Sequence, residues 1–131
     1  MVIDTAAIVA ILSNEDDTER LETVIDRETA RLMSVASVLE TAIVLESRYG
    51  EPGARELDLL IQRLPIEIKP VDFDQLEWAR FAFRTYGRGR HPAKLNFGDC
   101  FSSARSKVTG EPLLYKGAGF AQTDLVSAST E

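Results

Sequence analysis

The first dozen residues constrain this chain more than any other stretch. Met1-Val2-Ile3 is a short apolar run that breaks at Asp4-Thr5 and passes at once into Ala6-Ala7-Ile8-Val9-Ala10-Ile11-Leu12, a helix apolar on every side. A strand and a helix that both lack a wet face belong in the middle of a parallel sheet covered by helices. Asp4 then stands at the carboxyl end of a buried strand, the edge where ligands gather in open α/β sheets. It equally suits the N-cap of the helix that follows. Position alone leaves both roles open.

The rest of the chain repeats the alternation. After an acid-rich turn at Asn14-Glu15-Asp16-Asp17-Thr18, the residues Leu21, Val24 and Ile25 keep helical spacing to about Arg27, and 31–35 reads as a strand. A helix over 36–49 offers Val38, Leu39, Ala42, Ile43 and Tyr49 as its core stripe, and Gly50-Glu51-Pro52-Gly53 ends it. Leu57, Leu60, Ile61 and Leu64 mark another helix, stopped by Pro65. Residues 66–69 alternate as a strand, and 74–86 form a helix with Leu76, Ala79 and Phe83 turned inward. Past a Gly/Arg/Pro loop, Asn96-Phe97-Gly98-Asp99 opens a helix expected to bury Phe97, Phe101, Ala104 and Val108. A last strand at 113–115 and a turn at Lys116-Gly117-Ala118-Gly119 follow. The expected fold is therefore α/β, one domain over 1–126, with a parallel central sheet of four or five short strands flanked by helices on both faces and a flexible tail at 127–131. At 131 residues such a domain holds a core without a metal or disulfide staple.

Composition narrows the chemistry. The single cysteine, Cys100, excludes an intrachain disulfide and a cysteine-rich zinc site, and reads as a small buried group on its helix. The single histidine, His91, lies in a loop beside no nucleophile motif. No apolar run is long enough to span a membrane and no basic leader precedes the first strand, so a cytoplasmic protein is expected. The net charge of −6 does not suggest a nucleic-acid partner. The distribution says more: Arg80, Arg84, Arg88, Arg90, Lys94, Arg105 and Lys107 concentrate in the second half, with Phe81, Phe83 and Tyr86 among them. Such a patch suits a single strand of nucleic acid, held by phosphate contacts and stacking, or an ordinary solvated helix face.

Carboxylates remain as the chemical groups, and as hard oxygen donors they suit Mg²⁺ or Mn²⁺. Three lie near expected helix starts: Asp4, Glu40 and Asp99. Each has a structural explanation beside the functional one. Asp4 can cap, Asp99 can answer the helix dipole, and Ser37-x-x-Glu40 matches a capping box. Glu46, nearer the centre of the apolar stripe, competes as a buried structural acid.

Four motifs in order carry a resemblance that spans almost the whole chain: hydrophobic-Asp4-Thr5, Ser37-Val38-Leu39-Glu40, Leu95-Asn96-Phe97-Gly98-Asp99-Cys100, and the closing stretch from Leu114 through Tyr115-Lys116-Gly117-Ala118-Gly119-Phe120 to Asp124. Together they resemble the PIN-domain ribonucleases, specifically VapC-type toxins of bacterial type II toxin–antitoxin pairs. The resemblance implies a single PIN-like domain and a metal-dependent endoribonuclease. It implies that Asp4, Glu40 and Asp99 form an acidic catalytic pocket for Mg²⁺ or Mn²⁺, with Asp4 and Asp99 as direct ligands, and that hydrolysis leaves a 5′-phosphate and a 3′-hydroxyl. It further implies an RNA substrate, a cognate antitoxin docking near the pocket, and a homodimer. Related toxins often carry an acid just before the Phe of the closing motif; Gly119 stands there, and Asp124 is the candidate replacement. Arg84, Arg88, Arg90, Lys94 and Lys116 are candidate RNA contacts.

Two readings compete. A phosphoacceptor receiver domain has similar size and strand-end acids, and would use Asp72 as acceptor with Lys116 after a late strand. A catalytically inactive PIN-like interaction domain would keep the fold alone.

Overall fold

The computed structural model describes residues 1–128. Four short strands, β1 (Val2–Ile3), β2 (Leu32–Ser34), β3 (Glu67–Lys69) and β4 (Leu113–Leu114), pair in parallel in the order β3-β2-β1-β4. Between them run α1 (Thr5–Leu12) and α2 (Thr18–Arg27), then α3 (Val35–Tyr49) and α4 (Glu51–Arg63), then α5 (Phe73–Tyr86) and α6 (Phe97–Thr109). The chain steps outward from β1 to β3 and then crosses back to lay β4 on the other side of β1. The order therefore reverses beside β1, and the crevice at its carboxyl end belongs to a topological switch point.

Period-two alternation in the strands feeds two cores, one on each face. Ile3, Met33 and Leu114 point into a cluster with Ile8, Ile11, Leu21, Ile25, Leu45, Leu57 and Leu60. Val2, Leu32 and Leu113 point the other way, into a cluster with Ala79, Ala82, Leu95, Cys100, Ala104 and Phe120. Helices thus cover both faces as the sequence requires. Cys100 is buried as expected, and burial pushes its thiol up to about 11, well away from thiolate chemistry.

Three helices turn a different face inward from the one their apolar spacing suggests. On α3 the buried residues are Ser37, Thr41 and Leu45, while Leu39 is 62% exposed and Ile43 and Tyr49 also face outward. Val38 and Ala42 of the expected stripe are half-buried. On α5 the inner face is Gln75, Ala79 and Ala82, with Leu76 and Phe83 exposed. On α6 it is Gly98, Cys100, Ser102, Ala104 and Ser106; Phe97 is 80% exposed, Val108 is exposed and Phe101 half-buried. The reason is steric: small side chains let these helix axes approach, and larger apolar groups are displaced to the rim. Gly53 does the same for the α3–α4 pair, since a Cβ there would stand 2.5 Å from the Leu45 carbonyl oxygen. Glu46 is exposed, so it is not a buried structural acid.

Residues 127 and 128, expected to lie in a flexible tail, are packed onto the sheet. Ser127 bridges to Leu113, the Ala128 N–H donates to the Leu113 carbonyl at 2.9 Å, and Ala128 is buried in the core. The remainder, 129–131, lies outside the described residues. No helix among the described residues is long and apolar enough to cross a membrane.

Candidate active site

Asp4 ends β1 and caps α1 at once. Its backbone is extended, and its Oδ2 accepts from the Ala6 N–H at 3.2 Å. Its other oxygen, Oδ1, accepts from the Ser102 hydroxyl at 2.6 Å. The residue is 3% exposed. Burial, helped by the neighbouring charges of Asp99 and Glu40, pushes its pKa up to about 7 against the pull of those two hydrogen bonds. Capping and placement in a charged crevice therefore coexist in one residue.

Glu40 is not held by a capping box. The helix begins earlier, with Ser34 as its N-cap accepting from Ala36 N–H, and Ser37 lies inside, fully buried. Freed from its own helix terminus, the Glu40 carboxylate takes the Thr5 hydroxyl at 2.8 Å on Oε1 and lies against the first turn of α6. A Cβ on Gly98 would stand 2.1 Å from Glu40 Oε2. Only glycine lets the carboxylate reach this helix start, where the dipole favours an anion.

Asp99 does sit in a capping box: its Oδ2 accepts from Asn96 N–H at 3.0 Å while its own N–H donates to Asn96 Oδ1 at 2.9 Å. Its pKa is raised by burial and by Glu40, and eased back by the Asn96 N–H and by Arg88. Asp4, Glu40 and Asp99 line one pocket of about 330 Å³, so the three acids predicted from separate motifs do converge.

The fourth corner is filled differently from the expectation. Asp124 is outside the pocket lining, in an exposed bend just after the 3-10 turn at Phe120–Gln122, where it pairs with Lys107. Glu15, from the turn after α1, lines the pocket instead, pairing with Lys116 and standing 3.9 Å from the Arg48 guanidinium. Sequence reasoning passed over Glu15; the signal was the acid-rich turn that follows α1 so closely that it folds back beside Asp4.

Lys116 thus belongs to the pocket wall, as a cation tied to Glu15. Arg88, Arg90 and Lys94 line a neighbouring hollow with His91. Arg90 stands over the Phe83 ring at 5.5 Å, and Arg84 is exposed on the last turn of α5. Arg88 is near enough to Asp99 to stabilise its charge. Arg105 and Lys107 leave the patch: the first is buried and donates to the Pro70 carbonyl at 2.6 Å, and the second pairs with Asp124. His91 is structural, its Nδ1 accepting from Ala93 N–H at 3.0 Å and its ring set edge-on to Tyr86. Asp72, the acceptor required by a receiver domain, is the exposed N-cap of α5 beside the edge strand β3, two strands from Asp4.

A divalent ion can be tested against this donor set. Among the described residues no three acidic, histidine or cysteine groups stand close enough together to hold an ion by themselves. Mg²⁺ does not ask for that: it keeps several waters and takes one or two carboxylates. Asp4 is a carboxylate whose ionisation is opposed by its surroundings, facing two more acids across an open pocket, and a bound cation relieves that opposition. The residues fit the group.

Comparison with known proteins bears on the family and the fold. The family model described as PIN domain matches residues 1–125. Ribonuclease VapC30 of Mycobacterium tuberculosis is 54% identical over 129 residues, covering 98% of each chain. Ribonuclease VapC of Mycolicibacterium smegmatis is 57% identical over 127 residues, covering 97% of this chain and 98% of that one. Among solved structures, Mycobacterium tuberculosis VapC20, described as a sarcin-ricin loop cleaving toxin, superposes with a TM-score of 0.77 at 17% identity over 95% of both chains. A toxin–antitoxin complex from Klebsiella pneumoniae gives 0.73 at 14% identity, covering 99% of this chain and 98% of that one.

Proposed function

The chain belongs to the PIN-domain family of VapC ribonucleases, and from that membership we propose that it is the toxin of a toxin–antitoxin pair, an endoribonuclease that cuts RNA in the Asp4–Glu40–Asp99 pocket. The observation that carries the site assignment is the convergence of three carboxylates from β1, α3 and α6 at the carboxyl end of the central strand.

Asp4 and Asp99 are the residues that would hold Mg²⁺ or Mn²⁺. When bound, such an ion polarises the phosphodiester and lowers the pKa of a coordinated water. The chain's own groups prepare the site for it. The Ser102 hydroxyl and the Ala6 N–H fix both oxygens of Asp4, and the Thr5 hydroxyl fixes Oε1 of Glu40. Glu40 is the remaining carboxylate, placed to accept the proton that an attacking water gives up. Lys116, anchored by Glu15, puts a positive charge on the wall, and Arg88, Arg90, Lys94 and Arg84 extend that charge away from the acids along the course of an RNA backbone. Asp124, tied to Lys107, takes no part.

The antitoxin is a separate protein that closes this pocket, and the exposed Leu39 and Ile43 side of α3 gives either it or a second copy an apolar surface to cover. The test is cleavage by the purified chain of a broad RNA panel with Mg²⁺ or Mn²⁺. Asp4→Asn and Asp99→Asn should cut at least 100-fold more slowly while keeping the fold. Equal cutting by those variants would refute the site, and no cutting by the parent with either ion would leave the inactive interaction domain as the answer.

A further inference from the structure

The buried polar face of α3 and α6 has no place in an apolar core, and its geometry shows what it serves. Ser102 is 0% exposed, donates to Asp4 Oδ1 at 2.6 Å and shares a hydrogen bond of 3.3 Å with the Ser37 hydroxyl, itself 1% exposed. The Ser37 carbonyl in turn accepts from Thr5 at 3.2 Å and from Thr41 at 2.7 Å, and Thr5 is the donor to Glu40. Three elements that each supply an acid are thereby joined through hydroxyls, of which those of Ser37, Thr41 and Ser102 are closed to water and that of Thr5 reaches the pocket.

We infer that Ser102 is a positioning residue for the reaction: wedged between Ser37 and Asp4, its hydroxyl fixes the Asp4 carboxylate in the orientation that takes the divalent cation. The inference rests on the pocket reading proposed above. A serine used only to fill space needs no partner at 2.6 Å, and alanine, already used at the neighbouring buried position 104, would fill it without a polar atom to satisfy. Groups that orient a ligating carboxylate from behind typically change metal affinity about 10- to 100-fold when lost. Ser37 stands one bond further away, so its removal should be felt less.

The test is Mn²⁺ binding to the purified full chain by titration calorimetry, with RNA cleavage measured alongside. Ser102→Ala should weaken Mn²⁺ binding about tenfold or more. Ser102→Cys, which keeps the shape with a slightly larger atom and offers only a weak donor, should fall between it and the parent, and it carries the test if the alanine variant folds poorly. Ser37→Ala should stay within about threefold of the parent. Near-parental Mn²⁺ affinity in both Ser102 variants overturns the inference while leaving the pocket reading intact. A Ser37→Ala loss as large as that of Ser102→Ala overturns it as well, since the effect would then travel through packing. A parent that binds no Mn²⁺ and cuts no RNA overturns the pocket reading and the inference with it.

Discussion

Replacing Asp4 by asparagine should abolish cleavage and make the metal-free protein more stable. The folded-state pKa of Asp4 is pushed up to about 7, against 3.8 as the ordinary value. Between those limits the folded chain keeps a proton that the unfolded chain has released, so stability falls as pH rises across the window. The contribution is fully present below 3.8 and is gone once pH has passed about 7. Three pKa units at about 1.4 kcal/mol each set a ceiling of about 4 kcal/mol. Asparagine carries no charge to bury, and its amide can still meet both neighbours: the oxygen faces the Ala6 N–H and the NH₂ faces the Ser102 hydroxyl, which then donates to Ser37. In EDTA at pH 8, Asp4→Asn should therefore unfold at higher denaturant than the parent, by about 2–4 kcal/mol, or roughly 10 °C in melting temperature for a domain of this size. At pH 4.5 the gap should shrink to below about 1 kcal/mol. Adding Mn²⁺ should raise the parent's melting temperature and leave that of the variant almost unchanged. A variant no more stable than the parent at pH 8, or a gap that does not depend on pH, refutes the reasoning.

Other substitutions probe separate parts of the account. Gly98→Ala inserts a methyl where Glu40 Oε2 lies, so it should slow cleavage about 100-fold with Asp4 and Asp99 intact, as measured by initial rates on one RNA. Glu15→Gln releases Lys116 and Arg48; it should raise KM for RNA several-fold while kcat changes less than about twofold. Gln75→Met removes two buried amide atoms that have no partner and should stabilise the protein by about 1 kcal/mol in urea unfolding. Leu39→Lys on the outer side of α3 should alter monomer stability by less than about 0.5 kcal/mol, and it should weaken self-association or antitoxin binding, read by sedimentation and calorimetry.

The order of elements was legible because β1, β2 and β4 are short and largely apolar, β3 alternates, and helices open on capping residues: Asp4 after β1, Ser34 closing β2, Asn96 before α6. The buried faces of α3 and α6 were not, because apolar periodicity assumes an apolar interior, and these helices bury serines and a threonine around the acids. Ser37 and Glu40 show the limit most clearly. Their spacing is that of a capping box, yet one turn of extra helix before them converts a terminal pair into a buried hydroxyl and a pocket carboxylate. Asp99 has the same spacing from Asn96 and does form the box. Glu15 escaped notice because a loop residue reaches a site through the chain's path, which composition does not encode, and Asp124 was favoured by nearness in sequence to Gly119 although Lys107 holds it elsewhere.

The central claim is that three carboxylates, without histidine, cleave RNA through a bound divalent ion. End-group analysis of the cut RNA tests it most directly. The account predicts a 5′-phosphate and a 3′-hydroxyl, formed only with Mg²⁺ or Mn²⁺ and not by Asp99→Asn. A 2′,3′-cyclic phosphate, or cleavage that persists in EDTA, would contradict it.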